Sequence, residues 1–353
     1  MQLPVDASLA IKQPTYFIAD IAANHDGSLK RALDLIRIAA DSGANAAKFQ
    51  NFRAKTIVSQ RGFNELGKKL THQVKWENDV FDVYDAATLP IEWTEALIEE
   101  CQKNKIDYFT APYDLDYIDF FAGKMPFFKI GSGDITWKES IERMASFGKP
   151  ILLATGASTL DEVEKAVAII KKHEIPLILM QCNTNYTGGE DNFDYINLQV
   201  LESFKVNFPH TVLGFSDHSK GYIAVLGAVA LGARAIEKHF TDDTTRSGPD
   251  HGFSLDPKTW REMVNATRIL ERSLGDGIKR VEQNEIDARI VQRRAYRYLN
   301  DFVVGHTLLK SDLIALRPCP PDGITPFELE KIVGHRIIRN VERDQLVRVQ
   351  DFY

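Results

Sequence analysis

The sequence predicts an α/β protein built as a TIM-type (β/α)8 barrel, followed by a small β-rich module. Three observations predict it. Eight short apolar runs recur through the first part of the chain, helix-length amphipathic segments separate them, and every run breaks off in polar side chains. Near-continuous apolar runs mark parallel strands covered on both faces. Eight such units fill one barrel, and polar strand ends are where a barrel keeps its chemistry.

The strand candidates are YFIAD (16–20), NAAKFQ (45–50), DYFTA (107–111), FFKIG (127–131), PILLATG (150–156), PLILMQC (176–182), TVLGFS (211–216) and ARAIEKHF (233–240). In 28–43, Leu29, Ala32, Leu33, Ile36 and Ala40 share a helix face. Ser28 suits its start and Gly43 its end. In 158–176, Ser158 with Asp161 resembles a capping box, Val163, Ala166, Val167 and Ile170 make the stripe, and Pro176 marks the exit. An open doubly wound sheet competes, but no glycine-rich nucleotide fingerprint follows the first strand. The boundaries read as barrel 1–274, a charged and partly helical linker 275–292, and a β-rich module 293–353. The module carries a faint echo at an offset of 39 residues, pairing Gly305 with Asp344, Leu308 with Val347 and Asp312 with Asp351.

A chain of 353 residues exceeds what one core usually organises, which fits one large and one small domain. The net charge of −6, without a long basic run, argues against nucleic acid as a partner. Cys101, Cys182 and Cys319 are few and far apart, as in a reducing compartment. The first residues lack a basic segment followed by an apolar one, and the apolar stretch near 222–233 is too short to span a bilayer. The expectation is a cytoplasmic protein with no membrane partner.

The chemistry collects at the strand ends. The apolar run of VLGFSDHS breaks off in a polar tip that reaches His218, and that of ARAIEKHF in one that reaches His239, with one helix length between them. Consecutive barrel strands would bring both imidazoles to one rim, the start of a divalent-metal site. Lys48 and Lys129 lie inside strands, where an ammonium is costly unless paired. KIGSGD (129–134) adds a Ser hydroxyl and flexible amides, which together suit a phosphate. A Schiff base at Lys48, Lys129 or Lys238 is the alternative, and a structural ion pair is the plain reading of each. Alternation with His239 points Lys238 out of the barrel. His251, in GPDHGFSL, reads either as a site residue or as an exposed loop histidine. At the free imidazole value, metal binding would fail below pH about 6.5.

FIADIAANHDGSLKRALDLI, GANAAKFQNF, KIGSGD, FGKPILLATG, GFSDHS and EKHFTDDTTRSGPDHGFSL together resemble the sialic acid synthase family, which makes nonulosonic acids from phosphoenolpyruvate (PEP). The tail, through VVGHTLLKSDLIALRP and NVERDQLVRVQDF, resembles that family's antifreeze-like SAF domain, a β-clip fold. The resemblance implies condensation of PEP with the open-chain aldehyde of an N-acyl hexosamine, cleavage of the C–O bond and release of phosphate. It implies that Lys48, Thr110, Lys129, Ser132, Asn183 and Ser216 hold PEP, and that Asp20, Gln50, Tyr186 and Asp250 line the sugar site. Asp20, Gln50, Lys48 and Lys129 would carry catalysis. His218 and His239 would bind a divalent cation, Mn2+ first, with Mg2+ or Co2+ as substitutes. Arg317 would reach the sugar bound by the other subunit of a domain-swapped homodimer.

The chain departs from the family pattern at five places. Asp20 and Asp134 stand where Glu is usual, and Ala154 stands where Ser is usual. TAP (110–112) replaces STP, and NTN (183–185) leaves Asn183 or Asn185 as the family's amide. The rival readings are a Schiff-base lyase, a PEP condensation on a phosphorylated sugar, and an inactive sugar-binding homologue.

Overall fold

Each apolar run becomes one parallel strand. They are β1 (Tyr16–Asp20), β2 (Ala46–Asn51), β3 (Asp107–Pro112), β4 (Phe128–Ile130), β5 (Ile151–Ala154), β6 (Leu177–Cys182), β7 (Val212–Asp217) and β8 (Ala235–His239). The computed structural model describes residues 1–10, 12–69 and 71–353, which fall into two compact units, Met1–Gly275 and Asp276–Tyr353. In the first unit the strands are ordered β3-β2-β1-β8-β7-β6-β5-β4, and β3 and β4 adjoin at the remaining seam. This is the expected (β/α)8 barrel.

Register sets the site. Asp20 lies level with Lys48 on one side and His239 on the other. Ser216 lies level with Cys182 and with Glu237. Side chains of a strand alternate, so Lys48, Gln50, Ser216, Glu237 and His239 face inward while Lys238 and Asp217 face the helices. The interior below is filled: a Cβ on Gly214 would lie 2.8 Å from Met180 Cγ and 3.0 Å from the Ala235 carbonyl.

Eight helices follow the strands: α1 (Leu29–Asp41), α2 (Thr94–Lys103), α3 (Leu115–Phe121), α4 (Lys138–Ala145), α5 (Leu160–Lys171), α6 (Val200–Asn207), α7 (Ile223–Ala230) and α8 (Pro257–Leu274). The Ser28 hydroxyl caps α1 by accepting from the Arg31 amide, and Ala32, Leu35, Ile36 and Ala39 form its buried face. The cap of α5 is Thr159 with Glu162, one residue beyond the expected Ser158 and Asp161. Ser158 is not available, because its hydroxyl donates to the Gly156 carbonyl at 3.0 Å. Between β2 and α2 the chain makes an excursion through the short helices Ala54–Ile57, Gln60–Glu65 and Val80–Ala86. Nothing in the hydrophobic pattern announced it.

The second unit begins with the helix Ile286–Gln292 and carries an antiparallel pair, β9 (Ala295–Tyr298) and β10 (Leu313–Leu316). The echo at offset 39 has a structural counterpart here. Gly305 and Asp344 both have positive φ, +91° and +65°. Leu308 and Val347 are both fully buried. Asp312 and Asp351 each accept a backbone N–H three residues upstream, from Leu309 and Arg348. Each half is thus a left-handed turn, a core side chain and an Asp-capped helical turn.

Candidate active site at the C-terminal mouth of the barrel

A cavity of about 390 Å³ opens where the strands end. That volume falls in the usual range for small-molecule sites, roughly 300–1,000 Å³. Its floor is a buried ionic cluster. Lys48 Nζ lies 2.5 Å from Asp20 Oδ2 and 2.9 Å from Glu237 Oε1, and Lys129 Nζ lies 3.6 Å from the same Glu237 oxygen. Ser216 Oγ donates to Glu237 Oε1 at 3.2 Å, and Gln50 Nε2 to Asp20 Oδ2 at 3.2 Å. Asp20 Oδ1 and Glu237 Oε2 are buried without a hydrogen-bond partner.

Electrostatics follow from that packing. Burial presses the Lys48 ammonium down, but Asp20 and Glu237 outweigh it and hold it above the ordinary lysine range. Burial wins at Lys129, whose value is lowered. Burial likewise raises Asp20, against the pull of Lys48. It would raise Glu237 as well, but Lys129 and Lys48 together bring that carboxylate down to about 2. Asp250 is pushed by burial up to about 7 while accepting from the Ala23 amide at 3.1 Å. Asp134 is pushed by burial to about 6, with Lys129 opposing.

One wall holds the two histidines, with ring centroids 5.4 Å apart. Tyr186 lies 4.3 Å from the His218 ring and Phe253 lies 4.9 Å from the His239 ring. Burial first, then His239, lowers His218 to about 3; burial first, then Lys48, lowers His239 to about 3. Both imidazoles are therefore neutral well below pH 6.5, the point at which the free side chain would have charged.

Asp20, Lys48, Gln50, Lys129, Ser132, Tyr186, Ser216, His218, His239 and Asp250 all line this one cavity. Three expected residues do not. Thr110 Oγ1 donates to Asn51 Oδ1 at 2.7 Å within the barrel wall, because the altered TAP segment puts its hydroxyl out of phase with the cavity face. The Asn183 side chain donates to the Tyr195 carbonyl, and only its backbone carbonyl reaches the wall, where it bonds His218 Nδ1 at 2.9 Å. Arg317 belongs to the second unit and is exposed. His251 is neither exposed nor in the cavity; its ring bridges Thr241 Oγ1 at 2.7 Å and Asp26 Oδ1 at 2.8 Å. Lys238 Nζ turns outward to Asp217 Oδ2 at 2.7 Å, which leaves Lys48 and Lys129 as the amines of the site.

The sequence pattern of the NeuB family matches residues 35–279. The chain belongs to the NeuB family. The N,N'-diacetyllegionaminic acid synthase of Campylobacter jejuni subsp. jejuni serotype O:2 is 33% identical over 95% of this chain and 99% of its own length. The pseudaminic acid synthase of C. jejuni serotype O:23/36 is 30% identical over 96% of each. The crystal structure of an N-acetylneuraminic acid synthetase from Leptospira borgpetersenii serovar Hardjo-bovis, in complex with citrate, superposes with a TM-score of 0.68 at 31% identity, over 78% of this chain and 90% of that one.

Within this NeuB chain the two histidines suit a divalent cation. Both rings are neutral, and His218 Nδ1 is held by a backbone carbonyl, the orientation by which metal-binding imidazoles keep their Nε2 lone pair free. His239 Nδ1 is buried with no partner. No cluster of three or more His, Cys, Asp or Glu forms a metal site among the described residues, so the two rings would leave most positions to solvent and substrate.

Sequence reasoning gave no role to Glu237, although its place two residues before His239 on β8 puts it on the same face. It also missed Phe52, His72, Trp76 and Tyr84, which line the cavity from the excursion after β2. No periodicity could have flagged them.

Proposed function

We propose that the chain is a nonulosonic acid synthase that condenses PEP with the open-chain aldehyde of an N-acyl hexosamine. The observation that carries the reading is the ionic floor. Two buried ammonium groups share one cavity with two neutral imidazoles and the hydroxyls of Ser132 and Ser216. An anionic three-carbon substrate suits the first set and a polarised carbonyl the second.

Lys48 and Lys129 exchange their carboxylate partners for the phosphate and carboxylate of PEP, and Ser132 and Ser216 donate to the same oxygens. His218 and His239 hold a divalent cation, with Mn2+ ahead of Mg2+ and Co2+, which supplies Lewis-acid polarisation of the aldehyde oxygen when bound. C3 of PEP then bonds to the aldehyde carbon. Water adds to C2, the bond from C2 to the phosphate oxygen breaks with its electron pair leaving on phosphate, and a 2-keto acid remains. Asp134 can take the water's first proton and return it to the former aldehyde oxygen, which becomes a hydroxyl, and the second proton leaves with the phosphate as the C2 ketone forms. Gln50, Asp250 and Tyr186 hold the sugar hydroxyls. Lys48, kept protonated by its two carboxylates, does not add to the substrate.

The second unit we read as the SAF domain. It serves as a lid in a domain-swapped homodimer, Arg317 of one subunit meeting the acyl group of the sugar in the other. Of the described residues, no helix is long and apolar enough to cross a membrane. With its free thiols Cys101 and Cys182 buried, the enzyme suits the cytoplasm.

Phosphate release from PEP with Mn2+ and a panel of N-acyl hexosamines tests the reading. Sugar-dependent release is expected, with loss of turnover by at least 100-fold in Lys48→Met and in His218→Ala at unchanged far-UV circular dichroism. No release with any sugar, or a lysine adduct trapped by borohydride, overturns it.

A further inference from the structure

One histidine has no part in the proposed reaction, although two loops of the site meet on it. His251 is fully buried and yet lines no part of the cavity. It lies in the segment 241–255, between β8 and α8, with Asp250 just before it and Phe253 two places after. Asp250 lines the cavity, and the Phe253 ring lies 4.9 Å from that of His239.

The ring joins this segment to the loop between β1 and α1. Its Nδ1 meets Thr241 Oγ1 at 2.7 Å, and its Nε2 meets Asp26 Oδ1 at 2.8 Å. A carboxylate only accepts, so Nε2 carries the proton of the second bond. The other oxygen of Asp26 accepts from Arg246 Nε at 2.9 Å and Nη2 at 2.6 Å. Two more contacts cross the same seam. Arg31, in the first turn of α1, pairs with both carboxylate oxygens of Asp242, and the Ala23 amide donates to Asp250 Oδ2 at 3.1 Å.

The backbone is bent to make these contacts. Ala22 and Asp26 both have positive φ, +44° and +48°. Side chains rarely adopt that region, and it persists only where the surroundings hold it. The two turns aim the Ala23 amide at Asp250 and the Asp26 carboxylate at His251. On the other side of the seam the chain runs against the imidazole: a Cβ on Gly248 would lie 2.7 Å from His251 Cδ2. The groups read as holding PEP lie elsewhere, with Lys48 on β2, Lys129 on β4, Ser132 in the turn after it and Ser216 on β7.

We propose that His251 and Asp26 are positioning residues. The bond between them fixes the segment 241–255 against the loop after β1, and so sets Asp250 and Phe253 at the acceptor end of the cavity. Neither touches a substrate. The inference rests on the PEP-condensing reading and gives the buried histidine a task within it.

The test measures kcat and the two KM values of the full-length chain with Mn2+, PEP and the best N-acyl hexosamine of the panel. His251→Asn keeps a polar group near Nδ1, for Thr241, and withdraws from Asp26; His251→Gln still reaches Asp26. His251→Asn is expected to raise the hexosamine KM at least tenfold with the PEP KM within twofold, and His251→Gln to stay within threefold of the parent. Asp26→Ala should match His251→Asn, and the two changes together should be no worse than either alone, because one bond is lost in each case. Should His251→Asn fail to fold, Asp26→Ala carries the same comparison. A side chain that merely supported the fold would lower the melting temperature and the active fraction without separating the two KM values. Both KM values rising together, or neither moving, therefore overturns the inference and leaves the reaction in place. So does a His251→Gln variant as impaired as His251→Asn, or a double variant whose losses multiply. A parent chain that releases no phosphate with any hexosamine overturns the reaction itself, and the inference with it.

Discussion

Glu237 is the residue on which the floor of the cavity turns. Its Oε1 takes bonds from Lys48 Nζ and Ser216 Oγ, and Lys129 Nζ stands 3.6 Å away. Removing one charge from a buried network leaves the opposite charges unpaired, at a cost of about 3–5 kcal/mol. Glu237→Gln is therefore expected to lose about that much stability in urea denaturation; a loss under about 1 kcal/mol would contradict the role. Gly156 shows how tightly the same region is built. Its amide donates to Ser132 Oγ at 2.9 Å, and a Cβ would lie 2.4 Å from Thr184 Cγ2 and 2.9 Å from that hydroxyl. Gly156→Ala should displace Ser132 and raise the PEP KM several-fold, with the sugar KM unchanged. The two imidazoles proposed to hold the cation carry a pH prediction. Their folded values near 3 lie below the unfolded value of about 6.5, so the rings stay neutral across that window. Mn2+ affinity measured by calorimetry should be flat from pH 7 to pH 5. A fall centred near 6.5 would mean the rings are more open to water than this structure has them.

At the scale of elements, strand alternation does most of the positioning. On β8, Glu237 and His239 enter the cavity while Lys238 turns out to Asp217. Lys238→Met should lower stability, because it leaves Asp217 buried without its ammonium, yet leave the PEP KM within about twofold. Lys129→Met should abolish PEP binding. Equal catalytic damage from both would place Lys238 in the site. The same alternation explains what was legible in the sequence. The eight strands were readable because both faces are covered, so each appears as an unbroken apolar run that stops at a polar tip. Ten of the thirteen expected site residues share one cavity because they sit on those strands toward their tips or in the loops that follow them. Thr110 fell away once the hydroxyl of TAP stood one place early, and Asn183 because the loop after β6 uses its amide to bond Tyr195. The wall of Phe52, His72, Trp76 and Tyr84 comes from short helices and the loops beside them, without a periodic stripe. It can be found only in three dimensions.

For the whole molecule, the two units carry different parts of the proposed reaction, and Arg317 is the residue that tests whether they cooperate. Arg317→Ala should raise the sugar KM far more than the PEP KM. A mixed dimer of Arg317→Ala with Lys48→Met subunits should recover activity in the one barrel that pairs a working floor with an intact arginine. Without such recovery, the arginine does not act across subunits. Global stability carries the mark of the buried acid Asp250. Its folded value near 7 lies above the unfolded value near 4, so the folded chain keeps a proton that the unfolded chain has released. Its contribution to stability is full below about pH 4 and is lost as the pH rises through about 7. Asp250→Asn should therefore gain thermal stability relative to the parent as the pH rises from 4.5 to 7.5; a constant difference would show that the carboxyl is hydrated.

The pairing of a two-imidazole cation site with a two-ammonium PEP site in one cavity is the claim on which the mechanism rests. A crystal structure with Mn2+ and PEP tests it most directly. The account predicts the cation on the rings of both His218 and His239, with PEP on Lys48 and Lys129, freed from Glu237. Either ring turned away from the metal, or PEP bound with both lysines still on their carboxylates, would contradict it.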